Sequence, residues 1–140
     1  MRRLILFFFL FSSFCFAKEW KSDDILGIWW TPKKDARIQI YKEKEKYFGK
    51  IIWLIPEERK SLDEKNPDPS KRKTPIQDLI NLKNFKFNGE YWDDGKVYDP
   101  DNGETYSCTL KLKNKNTLKV RGFIGISLFG RTEVFKRYVP

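Results

Sequence analysis

The chain has 140 residues, a formal net charge of +9, 16% aromatic residues and no histidine. This length fits one domain with a hydrophobic core of useful size. The absence of histidine removes the commonest zinc ligand and the commonest general base, which disfavours the zinc sites and catalytic triads that depend on it.

The N-terminus has the order of an export signal. Arg2 and Arg3 precede an apolar run at residues 4–11, and Ala17 supplies the small residue that signal peptidase requires. The run is shorter than the roughly 20 residues that span a bilayer. We therefore predict a signal peptide at 1–17 and a single periplasmic or secreted domain at 18–140. A lipid on Cys15 is the alternative. Cys108 is then the one remaining cysteine, which excludes an internal disulfide.

Alternation of apolar and polar residues predicts strands along most of the remaining chain. The clearest segments are 36–41, 46–55, 106–113 and 117–123, and a weaker one covers 131–139. The side chains predicted to face inward are those of Ala36, Ile38, Ile40, Tyr47, Gly49, Ile51, Trp53, Ile55, Tyr106, Cys108, Leu110, Leu112, Leu118 and Val120. In 117–123 the same pattern places Lys119 and Arg121 outward.

Turn signals separate these segments. Asn88-Gly89 is a strong hairpin signal, and "KNKN" at 113–116 is a short polar connection. The stretch 56–75 holds four prolines and many charges, which predicts one long surface loop. Many short strands with regular turns indicate an antiparallel barrel or a sandwich.

The segment "YDPDNGETY", at 98–106, resembles part of a calcium loop. Asp99 and Asp101 have the first two ligand offsets, but Gly103 comes one position early and no bidentate acid follows at the required distance. Pro100 and Asn102 instead favour a tight turn. We predict a hairpin turn without a metal, and a weak calcium site is the alternative.

Six segments then show a resemblance to a known family. In order they are "GIWW", "YFGKIIWL", "NPDPSKR", "GKVYDPDNGETYSCTLKL", "LKVRGFIG" and "LFGRTEVFKR". Together they resemble the bacterial exported family called domain of unknown function 2147, over about residues 26–138. Two positions depart from the family pattern. The family usually has a glycine near Gln77-Asp78 and a tryptophan at the position of Phe135.

The resemblance implies an all-β fold: a small antiparallel up-and-down barrel, lipocalin (calycin)-like, with one long loop at about 56–75. Gly27-Ile28-Trp29 is similar to the Gly-x-Trp that opens the first lipocalin strand. Arg137 matches the arginine that lies across that tryptophan and closes the barrel floor, by stacking and by donating to nearby carbonyls. The alternative is that residues 27–29 merely begin a strand. No activity is generally assigned to the family.

A barrel of eight strands is wide enough for one small ligand, so we expect a small-molecule carrier or sensor. Its expected partner is an apolar or amphipathic molecule, and no cofactor is expected. An arginine that pointed into the cavity would favour an acidic head group. Core packing is the alternative role for the aromatic side chains. The predicted ligand-binding residues are Trp53, Trp92, Tyr98, Tyr106, Arg121 and Arg131.

Two other classes of function are considered. A surface interaction protein would use the basic stretch 110–121 for weak contact with an anionic surface. Nucleic acid is a poor partner for an exported chain. An enzyme is the least favoured class, because Asp93 and Asp94 are adjacent and face opposite ways on a strand, and Cys108 is predicted to be buried.

Overall fold

The structure of the protein, a computed structural model, describes Ile5, Leu10 and residues 19–140. The predicted signal peptide at 1–17 lies outside the described residues, except for Ile5 and Leu10, and it stays a prediction. Among the described residues, no helix has both the length and the apolar character needed to cross a membrane.

Eight strands form one closed barrel, and each strand pairs with its neighbours in sequence. All the pairs are antiparallel, including that between β8 and β1. The predicted all-β, up-and-down barrel is therefore confirmed. The strands are β1 (Gly27–Trp30), β2 (Ala36–Glu43), β3 (Lys46–Leu54), β4 (Ile80–Phe87), β5 (Trp92–Asp99), β6 (Glu104–Asn114), β7 (Thr117–Phe123) and β8 (Gly130–Arg137).

The core follows the predicted alternation on β2, β6 and β7, because residues two apart on a strand face the same side. On β2 the inward positions Ala36, Ile38 and Ile40 are buried. On β6 the buried residues begin at Cys108, and on β7 Val120 is buried while its neighbour Arg121 is not.

One end of the barrel is closed by a short 3₁₀ helix, Ser22–Ile25, which precedes β1. The indole of Trp92 donates to the carbonyl of Ser22 (3.1 Å), and the indole of Trp29 donates to that of Ile25 (3.0 Å). Both indoles are fully buried. We call this arrangement the plug, and it leaves the opposite end of the barrel as the open end.

A bulge in β5 directs two residues, Trp92 and Gly95, into the core next to the plug. Asp94 has φ +61°, and the pairing with β6 shifts between Trp92 and Gly95, so that both of these residues are buried. The ring of Phe85 packs directly on Gly95, where an added Cβ would overlap the ring. Glycine is therefore required at this position.

The predicted long loop is also confirmed, since residues 55–79 connect β3 to β4 with two 3₁₀ turns, Pro56–Glu58 and Pro69–Lys71. Asp63 is buried and accepts a hydrogen bond from the hydroxyl of Tyr98 (2.6 Å), which ties the loop to β5. Near the end of the loop, where the family usually has a glycine, Asp78 has φ +70°. The chain therefore adopts a left-handed conformation here without glycine.

Candidate functional site: the barrel cavity

A cavity of about 710 Å³ occupies the open half of the barrel. Its wall is formed by inward side chains of several strands, and its mouth by the connections β5–β6 and β7–β8. The lining residues are Thr31, Ile38, Asn81, Leu82, Val97, Tyr98, Asp99, Pro100, Asp101, Asn102, Tyr106, Val120, Gly122, Phe123, Ile124, Phe129, Gly130, Arg131, Glu133 and Phe135.

The deep wall of the cavity is apolar. Ile38, Leu82, Val120 and Phe135 belong to the buried core and also line the cavity, as does Val97, which packs against that core. Such a surface favours the apolar part of a ligand, at roughly 25 cal/mol for each Å² removed from water.

Asn81 is the exception on this wall. The residue is only 8% exposed, and its Oδ1 has no hydrogen-bond partner among the described residues. A buried polar group without a partner costs about 1–3 kcal/mol. This unused hydrogen-bond acceptor lies beside the cavity, where a donor group on a ligand could reach it.

The mouth carries more negative than positive groups. Asp99, Asp101 and Glu133 line it, against the single lining cation Arg131. Arg131 is largely exposed, and its Nη2 lies 3.4 Å from Oε1 of Glu133. This exposed ion pair is weak, so it is the excess of carboxylates over cations that characterises the mouth.

Three of the six predicted ligand residues, Tyr98, Tyr106 and Arg131, line the cavity. Tyr106 accepts a hydrogen bond from the side chain of Asn102 (2.8 Å) at the mouth. Tyr98 directs its hydroxyl to Asp63, and burial, followed by this hydrogen bond, raises the pKa of Tyr98 to about 12. Tyr98 therefore lines the cavity and also anchors the long loop through its hydroxyl.

The prediction that Trp53 faces inward is wrong. The pairing of β2 with β3 shifts between Arg37 and Ile38, and the extra residue in β3 reverses the face of the residues that follow. Leu54 is buried instead. Trp53 lies on the outer wall, with the guanidinium carbon of Arg37 4.4 Å from its ring centre. The same shift leaves Ile55 out of the buried core.

Trp92 and Arg121 are also displaced from their predicted role in ligand binding. Trp92 is part of the plug and does not line the cavity. Arg121 lies on the outer wall, as the alternation of β7 predicted, because Val120 before it faces inward. Its guanidinium donates to the carbonyl of Ser127 (2.9 Å) and to the hydroxyl of Thr132 (2.9 Å).

Gly27, Trp29 and Arg137 come together at the plug. The guanidinium carbon of Arg137 lies 4.3 Å from the centre of the Trp29 ring. The group also donates to the carbonyls of Asp24 (2.8 Å), Leu26 (2.8 Å) and Lys115 (2.9 Å). Gly27 has φ +134°, and an added Cβ would lie 2.7 Å from Nη1 of Arg137. The family resemblance predicted this closing contact.

Comparison with known proteins agrees with this architecture. Residues 27–137 match the family described as "Uncharacterized protein conserved in bacteria (DUF2147)". The chain belongs to this family. It is also similar to the solved structure of protein HP1028 from the human pathogen Helicobacter pylori, described as a member of the lipocalin family, with 19% identity and a TM-score of 0.75. The similarity covers 81% of this chain and 82% of that one, and it shows the lipocalin-like fold. No curated protein matches the sequence.

The segment that resembles a calcium loop is the predicted hairpin turn. The amide of Gly103 donates to the carbonyl of Asp99 (2.8 Å), and the amide of Asp101 donates to the Asp99 carboxylate (2.9 Å). Within the described part of the chain, no three acidic, cysteine or histidine side chains gather as metal ligands would.

The thiol of Cys108 is not reactive. Burial raises the pKa of the Cys108 thiol to about 12, which keeps it protonated at neutral pH.

Sequence reasoning missed most of the lining, and the residues that matter most among those missed are Asn81, Glu133 and Phe135. The only available signal for Asn81 was a polar residue between Ile80 and Leu82, in "INL", and the further polar residues of the same strand made that signal weak. The weak alternation of 131–139 hid the inward direction of Glu133 and Phe135. Their facing follows from the pairing of Glu133 with Val120 and of Phe135 with Leu118.

Proposed function

We propose that the protein binds one small apolar or amphipathic molecule inside its barrel. The observation that carries the proposal is the cavity of about 710 Å³, with its apolar wall and the buried, unpartnered Oδ1 of Asn81. The volume lies within the range of roughly 300–1,000 Å³ common for small-molecule sites. A few polar groups on an apolar wall are the usual means of orienting such a ligand.

The Asn81 amide indicates the polar group of the ligand. An amide offers one acceptor oxygen and two donor hydrogens. A ligand hydroxyl or amide can both donate and accept, so it matches Asn81 in either orientation of the side chain. A wholly apolar ligand would fill the wall and leave Oδ1 unsatisfied. We therefore infer an amphipathic ligand with a neutral hydrogen-bonding group that reaches Asn81.

The mouth argues against an acidic head group. Asp99, Asp101 and Glu133 provide three carboxylates, and the cation Arg131 is already paired with Glu133. A ligand carboxylate at the mouth would meet three like charges against one arginine, which already contacts Glu133. The acidic ligand expected from an inward arginine is therefore replaced in this proposal by a neutral or cationic one.

The proposal contains no chemical reaction. The polar group on the deep wall is the Asn81 amide, which is neither an acid nor a base at neutral pH. Cys108 is buried, and it is absent from the cavity lining. Carriage or sensing of a solute in the bacterial envelope is the role we propose, with the N-terminal export pattern as its support.

Titration with N-phenyl-1-naphthylamine, an uncharged apolar dye, tests the proposal. The dye should bind the protein with a saturable rise in fluorescence. Phe135→Trp adds volume to the cavity wall at a position where the family usually has tryptophan, so it should weaken dye binding at least about tenfold without loss of fold. Val139→Trp, at an exposed position near the chain end, is the matched control and should bind normally.

Displacement of the dye then tests the head group. Decanol, decanoate and decylamine have the same chain length and differ in charge. Decanol and decylamine should displace the dye at lower concentration than decanoate. Saturable dye binding with decanoate as the best competitor would retain the cavity and reject the inferred head group. Absence of saturable binding would contradict the proposal itself.

A further inference from the structure

The connection between β7 and β8 presents an apolar surface to solvent. Within residues 124–129, Ile124, Ile126, Leu128 and Phe129 are between 59% and 76% exposed. We call this segment the apolar tip. Single exposed apolar residues are common, but four large ones within six positions form a patch of the kind that marks an interaction site.

A cluster of cations lies on the outer wall of the barrel beside the tip. Lys111, Lys119 and Arg121 line a shallow depression of about 320 Å³, and none of the other residues on its lining is acidic. We call these three residues the basic wall. The remaining lining residues are Tyr91, Thr109, Ser127 and Thr132.

The tip and the basic wall are joined by direct hydrogen bonds. Arg121 donates from Nε to the carbonyl of Ser127 (2.9 Å) and from Nη1 to the hydroxyl of Thr132 (2.9 Å). Ser127 lies within the tip, and Thr132 lies on β8. The guanidinium therefore holds the tip in a fixed relation to the wall.

The order of these groups along β7 matches the order of layers in a bilayer. The tip lies beyond the end of β7, Arg121 lies near that end, and Lys119 follows two residues further down, opposite Lys111 on β6. Two residues of strand span about 7 Å. Apolar side chains can enter the acyl boundary, while lysine stems bring their ammonium groups up to the phosphates.

We propose that the apolar tip and the basic wall dock the protein on an anionic lipid bilayer. Charge decides this occupant over a second copy of the chain, because a symmetric pairing of two tips would bring two basic walls near each other. Ile124 and Phe129 of the tip also line the mouth of the cavity, so docking would bring Asp99, Asp101 and Glu133 toward the lipid surface. The attraction of the basic wall and the insertion of the tip must therefore exceed the repulsion of these carboxylates. Docking itself requires no ligand in the cavity.

Vesicle sedimentation tests this proposal, with the chain from Lys18 onward, which carries all eight strands. The protein should bind vesicles of phosphatidylcholine mixed with phosphatidylglycerol and bind vesicles of phosphatidylcholine alone far less. Added salt should weaken binding to the mixed vesicles, because it screens the cations.

Two variants separate the two parts of the surface. Ile126→Ser with Leu128→Ser removes apolar side chains that do not line the cavity, and it should lower partitioning about tenfold or more. Lys111→Gln with Lys119→Gln should lower it roughly 30-fold on anionic vesicles. Lys83→Gln with Lys86→Gln removes two exposed lysines of β4 and is the charge-matched control, which should change little.

Equal binding by the tip variant and the unaltered protein would overturn the proposal, as would equal losses from the basic-wall variant and its control. Sedimentation velocity tests whether a second copy of the chain occupies the tip instead. A dimer that dissociates in the tip variant, together with no vesicle binding, would assign the tip to self-association and also refute docking. Dye binding in the cavity should be unchanged in the tip variant. A refutation of membrane docking would therefore leave the proposed ligand binding unaffected.

Discussion

Arg137 lies across the face of Trp29, with its guanidinium carbon 4.3 Å from the ring centre, and joins the last strand to the first. Three carbonyls on two separate segments accept its hydrogen bonds. The contact involves residues more than 100 positions apart in the chain, so it forms only when the barrel closes.

Removal of this guanidinium should loosen the closure. We expect Arg137→Ala to lower the free energy of unfolding by about 2 kcal/mol, from the lost cation–π contact and charged hydrogen bonds, and the midpoint of thermal unfolding by several degrees. Arg131→Ala, at an arginine that is largely exposed at the cavity mouth, should change stability by less than about 0.5 kcal/mol. Equal losses in the two variants would refute the closing role.

The bond between Tyr98 and Asp63 predicts a loss of stability at high pH. Burial and the Asp63 carboxylate raise the pKa of Tyr98 from 10.0 to about 12, so the folded state holds the phenol proton more tightly than the unfolded state. This stabilisation is complete below about pH 10 and is lost as the pH rises through about 12.

Tyr98→Phe removes the titrating group and one donor to the buried carboxylate. It should cost about 1–2 kcal/mol at neutral pH and reduce the decline in unfolding free energy between pH 9 and pH 11. Tyr41 and Tyr47 also have raised pKa values, so part of the decline should remain. Denaturant unfolding at pH 9 and pH 11 measures this decline in both proteins. An equal decline in Tyr98→Phe and in the unaltered protein would contradict the role of Tyr98.

Asp78 offers a stabilising substitution. With φ +70°, it adopts a conformation that costs an L-residue more than glycine. Asp78→Gly should therefore raise the free energy of unfolding by about 0.5–1 kcal/mol, and Asp78→Ala should lower it. Opposite signs for the two variants in urea unfolding would support the backbone explanation, whereas a loss in both would indicate that the aspartate side chain matters more.

Asn81 should show a conflict between stability and function. Asn81→Leu replaces a buried amide whose Oδ1 lacks a partner with an apolar side chain of similar size, so the ligand-free protein should gain about 1 kcal/mol of stability. The same change should weaken decanol binding more than it weakens binding of the uncharged dye. A destabilised variant with unchanged ligand preference would show that Asn81 has a structural role alone.

The fold followed from the sequence where local signals repeat along the chain. Alternation gave the inward faces of β2, β6 and β7, and the turn signals gave the hairpins. The closing contact came from the resemblance at Gly27, Trp29 and Arg137. These features depend on short stretches of sequence, each with its own physical cause.

The site was less predictable because it depends on pairing between strands. The bulge opposite Arg37 turned Trp53 outward, and a register shift of this kind leaves no mark in the alternation of one strand. Arg121 was assigned to the site although its own strand pattern placed it outside, and the strand pattern was right. Asn81 became notable only through its missing partner, which is a property of three-dimensional packing.

Native mass spectrometry of the protein recovered from its own cell envelope tests the central claim most directly. We predict that the unaltered protein carries a small noncovalent molecule in a one-to-one complex, and that Phe135→Trp carries much less of it than Val139→Trp. A bare-chain mass for all three proteins, under conditions that preserve noncovalent complexes, would contradict the claim that the cavity holds a ligand.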